Sequence, residues 1–86
     1  MAYVVVEYEF DPPLSEEAYA GAFDALKPCL EVRDVKRLRS SFSSDRRRGF
    51  CEYEAADAQA LRDAYASAKV PFARIWTGQR RDFNTP

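Results

Sequence analysis

The 86-residue sequence contains no histidine. Histidine is the commonest general base, the side chain that titrates near neutral pH, and a preferred ligand of zinc and nickel, so its absence narrows the available chemistry. Cysteine is scarce as well: Cys29 and Cys51 are the only two, and their spacing matches no metal motif. We expect both to be free thiols in a reducing compartment.

Long apolar runs are also missing. No window approaches the roughly 18 apolar residues that cross a membrane, and residues 1–7 lack the basic region and cleavage site of a signal peptide. We therefore expect a cytoplasmic protein with no membrane partner. Lys and Arg number 13 against 14 Asp and Glu, for a net charge of −1. This balance provides no general attraction to nucleic acid.

The length allows one domain and excludes two. We assign residues 1–79 to a single domain and residues 80–86 to a polar C-terminal tail. A chain of this size buries only about 60–65% of the surface that its unfolded form exposes. A second copy would hide more apolar surface, so we expect a homodimer.

Local signals predict four strands and two helices. Ser15 and Asp57 are suited to cap the two helices, and Pro28 should kink or end the first one. β-Branched and aromatic residues mark the strands. The order β-α-β-β-α-β predicts an α+β, ferredoxin-like fold with a four-stranded antiparallel sheet and both helices on one face. The predicted strands are Tyr3–Phe10, Val35–Phe42, Phe50–Glu54 and Phe72–Thr77.

Period-two alternation assigns each strand residue to one face of this sheet. The apolar set should lie under the helices: Val4, Val6, Tyr8, Phe10, Leu38, Phe42, Cys51, Tyr53, Ala73 and Ile75. We call the other side the open face. Its predicted members are Tyr3, Val5, Glu7, Glu9, Arg37, Arg39, Phe50, Glu52, Glu54, Phe72, Arg74 and Trp76.

The open face combines aromatic and charged residues, and soluble monomers seldom expose such a patch. Two copies packed through it would enclose a cavity. The residues predicted to line or rim that cavity are Glu7, Arg37, Arg39, Glu52, Arg74 and Trp76. One interpretation is an ion-pair network at a dimer interface, and the other is a ligand-binding site. In the second, Arg37, Arg39 and Arg74 could grip a small anionic ligand bidentately.

Several segments carry a family resemblance. LRSSFSSD at 38–45, FCEYEA at 50–55 followed by Asp57-Ala58, and VPFARIW at 70–76 resemble the later strands of a bacterial domain family of unknown function. The opening strand and LSEE at 14–17 fit its beginning. This family is typified by a small nickel-binding, ferredoxin-like protein and is similar to dimeric α/β-barrel proteins.

The resemblance implies a cytoplasmic dimer. It also makes metal binding a function to consider, with nickel as the metal. Nickel favours imidazole or thiolate ligands. Because the chain has no imidazole, no nickel ligands are carried over to it, and the cofactor stays unknown.

Three functions remain open. The first is a non-enzymatic dimer that holds a small molecule or metal between its sheets. The second is a cofactor-free enzyme of the dimeric-barrel type, a monooxygenase or isomerase, with Glu7 and Trp76 in its site. The third is RNA binding, suggested by the basic run at 46–48 beside aromatic residues on a ferredoxin-like sheet. No nucleophile–base pair or phosphate loop is visible, so the sequence favours the first.

Overall fold

A computed structural model describes residues 1–83. It confirms the α+β, ferredoxin-like order predicted from the sequence. Residues 79–83 form no helix or strand, and the rest of the predicted tail, 84–86, lies outside the described residues. The elements are β1 (Ala2–Glu9), α1 (Glu16–Glu31), β2 (Lys36–Phe42), β3 (Arg48–Ala55), α2 (Ala58–Ala68) and β4 (Arg74–Gly78).

The sheet has the strand order β2-β3-β1-β4, and every neighbouring pair is antiparallel. This order places β1 and β3 in the centre, which is why their residues are the most buried. Within residues 1–83, no helix is long and apolar enough to cross a membrane.

Both helices begin where the sequence predicts. The Ser15 hydroxyl accepts the Ala18 N–H at 3.0 Å, and the Asp57 carboxylate accepts the Ala60 N–H at 2.9 Å. Each bond satisfies a backbone donor that has no partner inside the helix. The α2 helix ends at Ala68 and is followed by the capping residue Lys69, whose left-handed backbone (φ 58°) redirects the chain towards β4.

Pro28 does not end α1, which continues to Glu31. A proline lacks the N–H for its own helical bond and crowds the carbonyl four residues earlier, but it does not prevent later residues from bonding. Its carbonyl still accepts the Val32 N–H at 3.1 Å. Leu30 is buried one residue before the helix ends, so packing of the last turn favours continuation.

The core lies between the sheet and the helices. Val4 and Val6 of β1 pack with Leu26 of α1 and Leu61 of α2, and all four are at most 1% exposed. Burial of each such side chain contributes roughly 1.5–3 kcal/mol.

A chain of hydroxyls and one thiol crosses this core. The Tyr53 and Tyr65 hydroxyls are 2.6 Å apart, Tyr65 is hydrogen-bonded to Tyr8, and Tyr8 donates to the Cys51 Sγ at 3.3 Å. The Ser40 hydroxyl lies 2.8 Å from the same sulfur. Each phenol has one proton, so donation by Tyr8 to Cys51 requires Tyr65 to donate to Tyr8 and Tyr53 to donate to Tyr65. Burial raises the pKa of all three phenols, which keeps them protonated.

The prediction that Arg37 lies on the open face is wrong. The β2–β3 register shifts between Arg37 and Arg39, so Leu38 has no partner and Arg37 lies opposite Tyr53, a helix-side residue. The Arg37 guanidinium carbon lies 4.4 Å from the centre of the Phe23 ring on α1. One extra residue in a strand moves each side chain before it to the opposite face of the sheet.

Phe72 also differs from its predicted place. The last strand begins at Arg74, two residues later than expected. The Phe72 ring meets the Tyr65 ring edge-on, with centres 5.8 Å apart. Because Tyr65 belongs to the core, Phe72 closes the helix side and is not part of the open face.

Candidate ligand-binding site on the open face

The open face carries a concavity of about 830 Å³. This lies within the range of roughly 300–1,000 Å³ that small-molecule sites occupy. Five of the six residues predicted from the sequence line it: Glu7, Arg39, Glu52, Arg74 and Trp76. Arg37 does not, because of the register shift described above.

Glu52 is the buried carboxylate of this concavity, at 2% exposure. Arg39, its partner across β2 and β3, donates through Nε to Oε2 at 2.5 Å. The Tyr3 hydroxyl donates to Oε1 at 2.5 Å. Both oxygens of this buried charge are therefore hydrogen-bonded, as burial of a carboxylate requires.

These contacts determine the ionisation of the cluster. Burial alone would raise the pKa of Glu52, but the hydrogen bonds from Arg39 and Tyr3 outweigh it and the pKa is lowered. Burial and the bond to Glu52 raise the pKa of Tyr3 to about 12. Glu52 is thus a carboxylate and Tyr3 a neutral donor at neutral pH, and neither is set up to exchange a proton there.

Glu7 forms a second cluster with β4. The Trp76 indole N–H donates to Glu7 Oε2 at 2.5 Å, and Arg74 Nη2 lies 3.3 Å from Oε1. The same Arg74 nitrogen lies 3.2 Å from Glu9 Oε2. The Trp76 bond, followed by the Arg74 bond, lowers the pKa of Glu7.

Glu52 and Glu7 lie deeper than the guanidinium groups that hold them, whereas Glu9 is as exposed as Arg74. The Arg39 side chain is 62% exposed and its partner Glu52 is 3% exposed. The Arg74 side chain is 59% exposed and its partner Glu7 is 32% exposed. The accessible polar groups of the concavity therefore include the arginine N–H donors, together with the exposed Glu9 carboxylate.

The apolar part of the site includes two exposed aromatic rings, besides the less exposed Tyr3, Val5, Tyr8 and Phe42. Trp76 is 42% exposed and Phe50 is 38% exposed, and both line the concavity. The Trp76 ring extends over Gly78, where a β-carbon would come within 2.7 Å of its Cζ3 atom. Gly78 therefore allows the indole to lie along β4 with its N–H directed at Glu7.

Arg48 is a lining residue that was not among the six predicted, because the predicted third strand begins only at Phe50. Arg48 is the first residue of β3, lies opposite Glu9, and lines the concavity. No ion pair or hydrogen bond of its side chain is formed within residues 1–83. Continuing the alternation of β3 back from Phe50 by two residues would have found it.

The strand order and the two helices place this chain among the ferredoxin-like α+β domains. A family model described as "Nickel responsive protein SCO4226-like" matches residues 3–77. The chain belongs to this SCO4226-like family.

A solved structure with the same fold is the crystal structure of SCO4226 from Streptomyces coelicolor A3(2). The two are 12% identical and superpose with a TM-score of 0.81, over 94% of this chain and 100% of that one. No curated protein matches the chain.

The family description raises the question of whether this chain can hold nickel. It has no imidazole, and the Cys51 thiol is fully buried between Tyr8 and Ser40. Within residues 1–83, no group of three or more Cys, Asp and Glu side chains could hold a metal ion. The donor set therefore does not fit nickel, which favours imidazole and thiolate ligands.

Proposed function

We propose that the protein is a non-enzymatic, cytoplasmic homodimer that holds a small ligand between the open faces of its two copies. The observation that carries the proposal is the concavity on the sheet face that the helices leave uncovered, with Trp76 and Phe50 exposed in it. Concave sites that combine aromatic walls with a few oriented polar groups are typical of small-molecule binding.

A second copy of the chain is the partner we infer for this face. Its lining contains three arginines and three glutamates, so two identical faces can approach without net charge repulsion. In a two-fold symmetric dimer, the same surface patch of one copy packs against that patch of the other copy. The small size of the domain adds a reason, because the covered aromatic area would supplement a limited core.

An enzyme is less well supported. A general base needs a pKa near the working pH, whereas the pKa values of Glu7 and Glu52 are both lowered. RNA binding is less well supported too. Of the three arginines of the basic run, Arg46 pairs with Glu16 and Arg47 with Asp11, which reduces the charge available for a phosphate backbone.

Sedimentation velocity of the purified chain over a range of concentrations tests the proposal. We expect the parent chain to be a dimer. Phe50→Arg should raise the dissociation constant of that dimer by at least about tenfold, because the new arginine would bury an unpaired charge in the interface. Val32→Arg is the matched control. Val32 is a 78% exposed apolar residue at the end of α1, and its substitution should leave the dimer unchanged. A monomeric parent, or equal effects of both variants, would contradict the proposal.

A further inference from the structure

The two deeper carboxylates of the open-face concavity, Glu52 and Glu7, are already engaged, and Glu9 accepts from Arg74 through Oε2. Both oxygens of Glu52 and both of Glu7 already accept a hydrogen bond. A guanidinium has five N–H donors, and Arg39 and Arg74 each use only one nitrogen in these contacts. The concavity therefore has more unused donors than unused acceptors, which favours a ligand that supplies acceptors.

Arg48 adds a whole guanidinium to this surplus. It lines the same concavity, without an ion-pair partner among residues 1–83. Across the sheet from its neighbour Phe50 lies the exposed Ser41, a further lining residue whose hydroxyl makes no hydrogen bond within the described part of the chain. Arg48 and Ser41 together provide unused donors next to an aromatic ring.

We propose that the ligand of this concavity is a small organic carboxylate with a flat apolar body, and that Arg48 is its main anchor. The inference rests on the proposed function. A planar guanidinium matches a carboxylate in a two-bond fork, and Phe50 and Trp76 supply the surface for the flat body.

A second copy that covers the concavity would favour an anionic ligand further. The lining has no net charge, but Arg39 and Arg74 are more exposed than Glu52 and Glu7. A two-fold axis therefore brings guanidinium groups of both copies together in one enclosed space, where water screens their local repulsion less. A bound carboxylate offsets that repulsion. A divalent cation would add to it, and the carboxylates that could coordinate a cation already hold Arg39 and Arg74.

The test uses the intact chain and its single tryptophan. Trp76 emission is titrated with benzoate, with benzamide as the neutral isostere, with acetate as a carboxylate without a ring, and with Ni²⁺. We expect benzoate to bind about tenfold or more tightly than benzamide and acetate, because each lacks one of the two interactions. We expect Ni²⁺ neither to bind nor to displace benzoate.

Two arginine variants locate the anchor. Arg48→Gln should weaken benzoate binding by about tenfold or more, with an unchanged far-ultraviolet circular dichroism spectrum. Arg47→Gln is the matched control, since the adjacent Arg47 pairs with Asp11 and does not line the concavity. It should leave benzoate binding unchanged.

Three results would overturn the inference: equal binding of benzoate and benzamide, equal affinities of the two arginine variants, or competition by Ni²⁺. A titration in which benzoate has no effect on Trp76 would overturn it as well. Sedimentation of the same samples separates the two proposals. A dimer that ignores benzoate removes only the ligand assignment, whereas a monomer removes the proposed function.

Discussion

Both faces of the four-stranded sheet carry polar side chains, but the two faces satisfy them differently. On the helix side, among residues 1–83, the hydroxyls of Tyr53, Tyr65 and Tyr8 and the Cys51 thiol bond to one another and to Ser40. On the open side, Glu52 and Glu7 are satisfied, while the arginines above them keep donors directed to solvent. A closed network stabilises a fold, and a network with spare donors can bind something else.

The largest expected effect concerns the helix side. Tyr65→Phe removes the hydroxyl that joins Tyr53 to Tyr8 and leaves a buried donor without an acceptor. We expect the free energy of unfolding to fall by about 1–3 kcal/mol, measured by urea denaturation. Tyr19→Phe is the control, because no hydrogen bond of the Tyr19 hydroxyl is formed within residues 1–83. A loss no greater than that of the control would mean that the buried chain does not stabilise the core.

A smaller effect is expected for the matching change on the open side. Tyr3→Phe removes one of the two hydrogen bonds to Glu52. Arg39 remains, and because Tyr3 is only half-buried, a water can take the place of its hydroxyl at the glutamate oxygen. We expect a loss of about 0.5–1.5 kcal/mol. If Tyr3→Phe costs more than Tyr65→Phe in the same urea series, the proposed difference between the faces is reversed.

Low pH should destabilise the protein mainly by protonating the two deeper carboxylates of the open face. The pKa values of Glu7 and Glu52 are lowered from their ordinary value of 4.5. Their contribution to stability is therefore full above that value and is lost as the pH falls towards the lowered values of the folded state. Urea midpoints should fall from about pH 5 downwards, and Glu52→Gln should flatten this slope. The exposed Glu17→Gln control should keep it, and an equal slope in all three proteins would contradict the assignment.

The smallest expected effect on stability is that of Gly78→Ala, which should be visible mainly in the fluorescence of Trp76. Gly78→Ala places a methyl group against the Trp76 ring, so the indole must move away from Glu7 and its emission should shift to the red. Gly21→Ala is the control, because a β-carbon there meets nothing within 4 Å. It should instead stabilise α1 by up to about 1 kcal/mol. Unchanged Trp76 emission in Gly78→Ala would show that the glycine does not position the ring.

Much of the fold follows from local signals in the sequence. The caps at Ser15 and Asp57 and the alternation along β1 and β3 predict the element order and assign most residues to the correct face. These signals suffice because neighbours in sequence determine capping and facing.

The rest depends on how the strands align. The extra residue at Leu38 moves Arg37 to the helix side, and nothing in the local sequence marks that shift. The sharing of Arg74 between Glu7 and Glu9 likewise requires the β1–β4 register. Arg48 was missed for a different reason. The third strand begins at Arg48, two residues earlier than the predicted start at Phe50, so Arg48 belongs to the sheet and not to the turn.

The central claim is that a second copy of the chain covers the open face, and the emission of Trp76 upon dilution tests it most directly. If a second copy covers the open face, Trp76 emission should be blue-shifted and protected from acrylamide at high protein concentration. Upon dilution both the shift and the protection should be lost together, at the concentration where sedimentation shows the dimer dissociating. Trp76 emission that is red-shifted and freely quenched at every concentration would contradict the account.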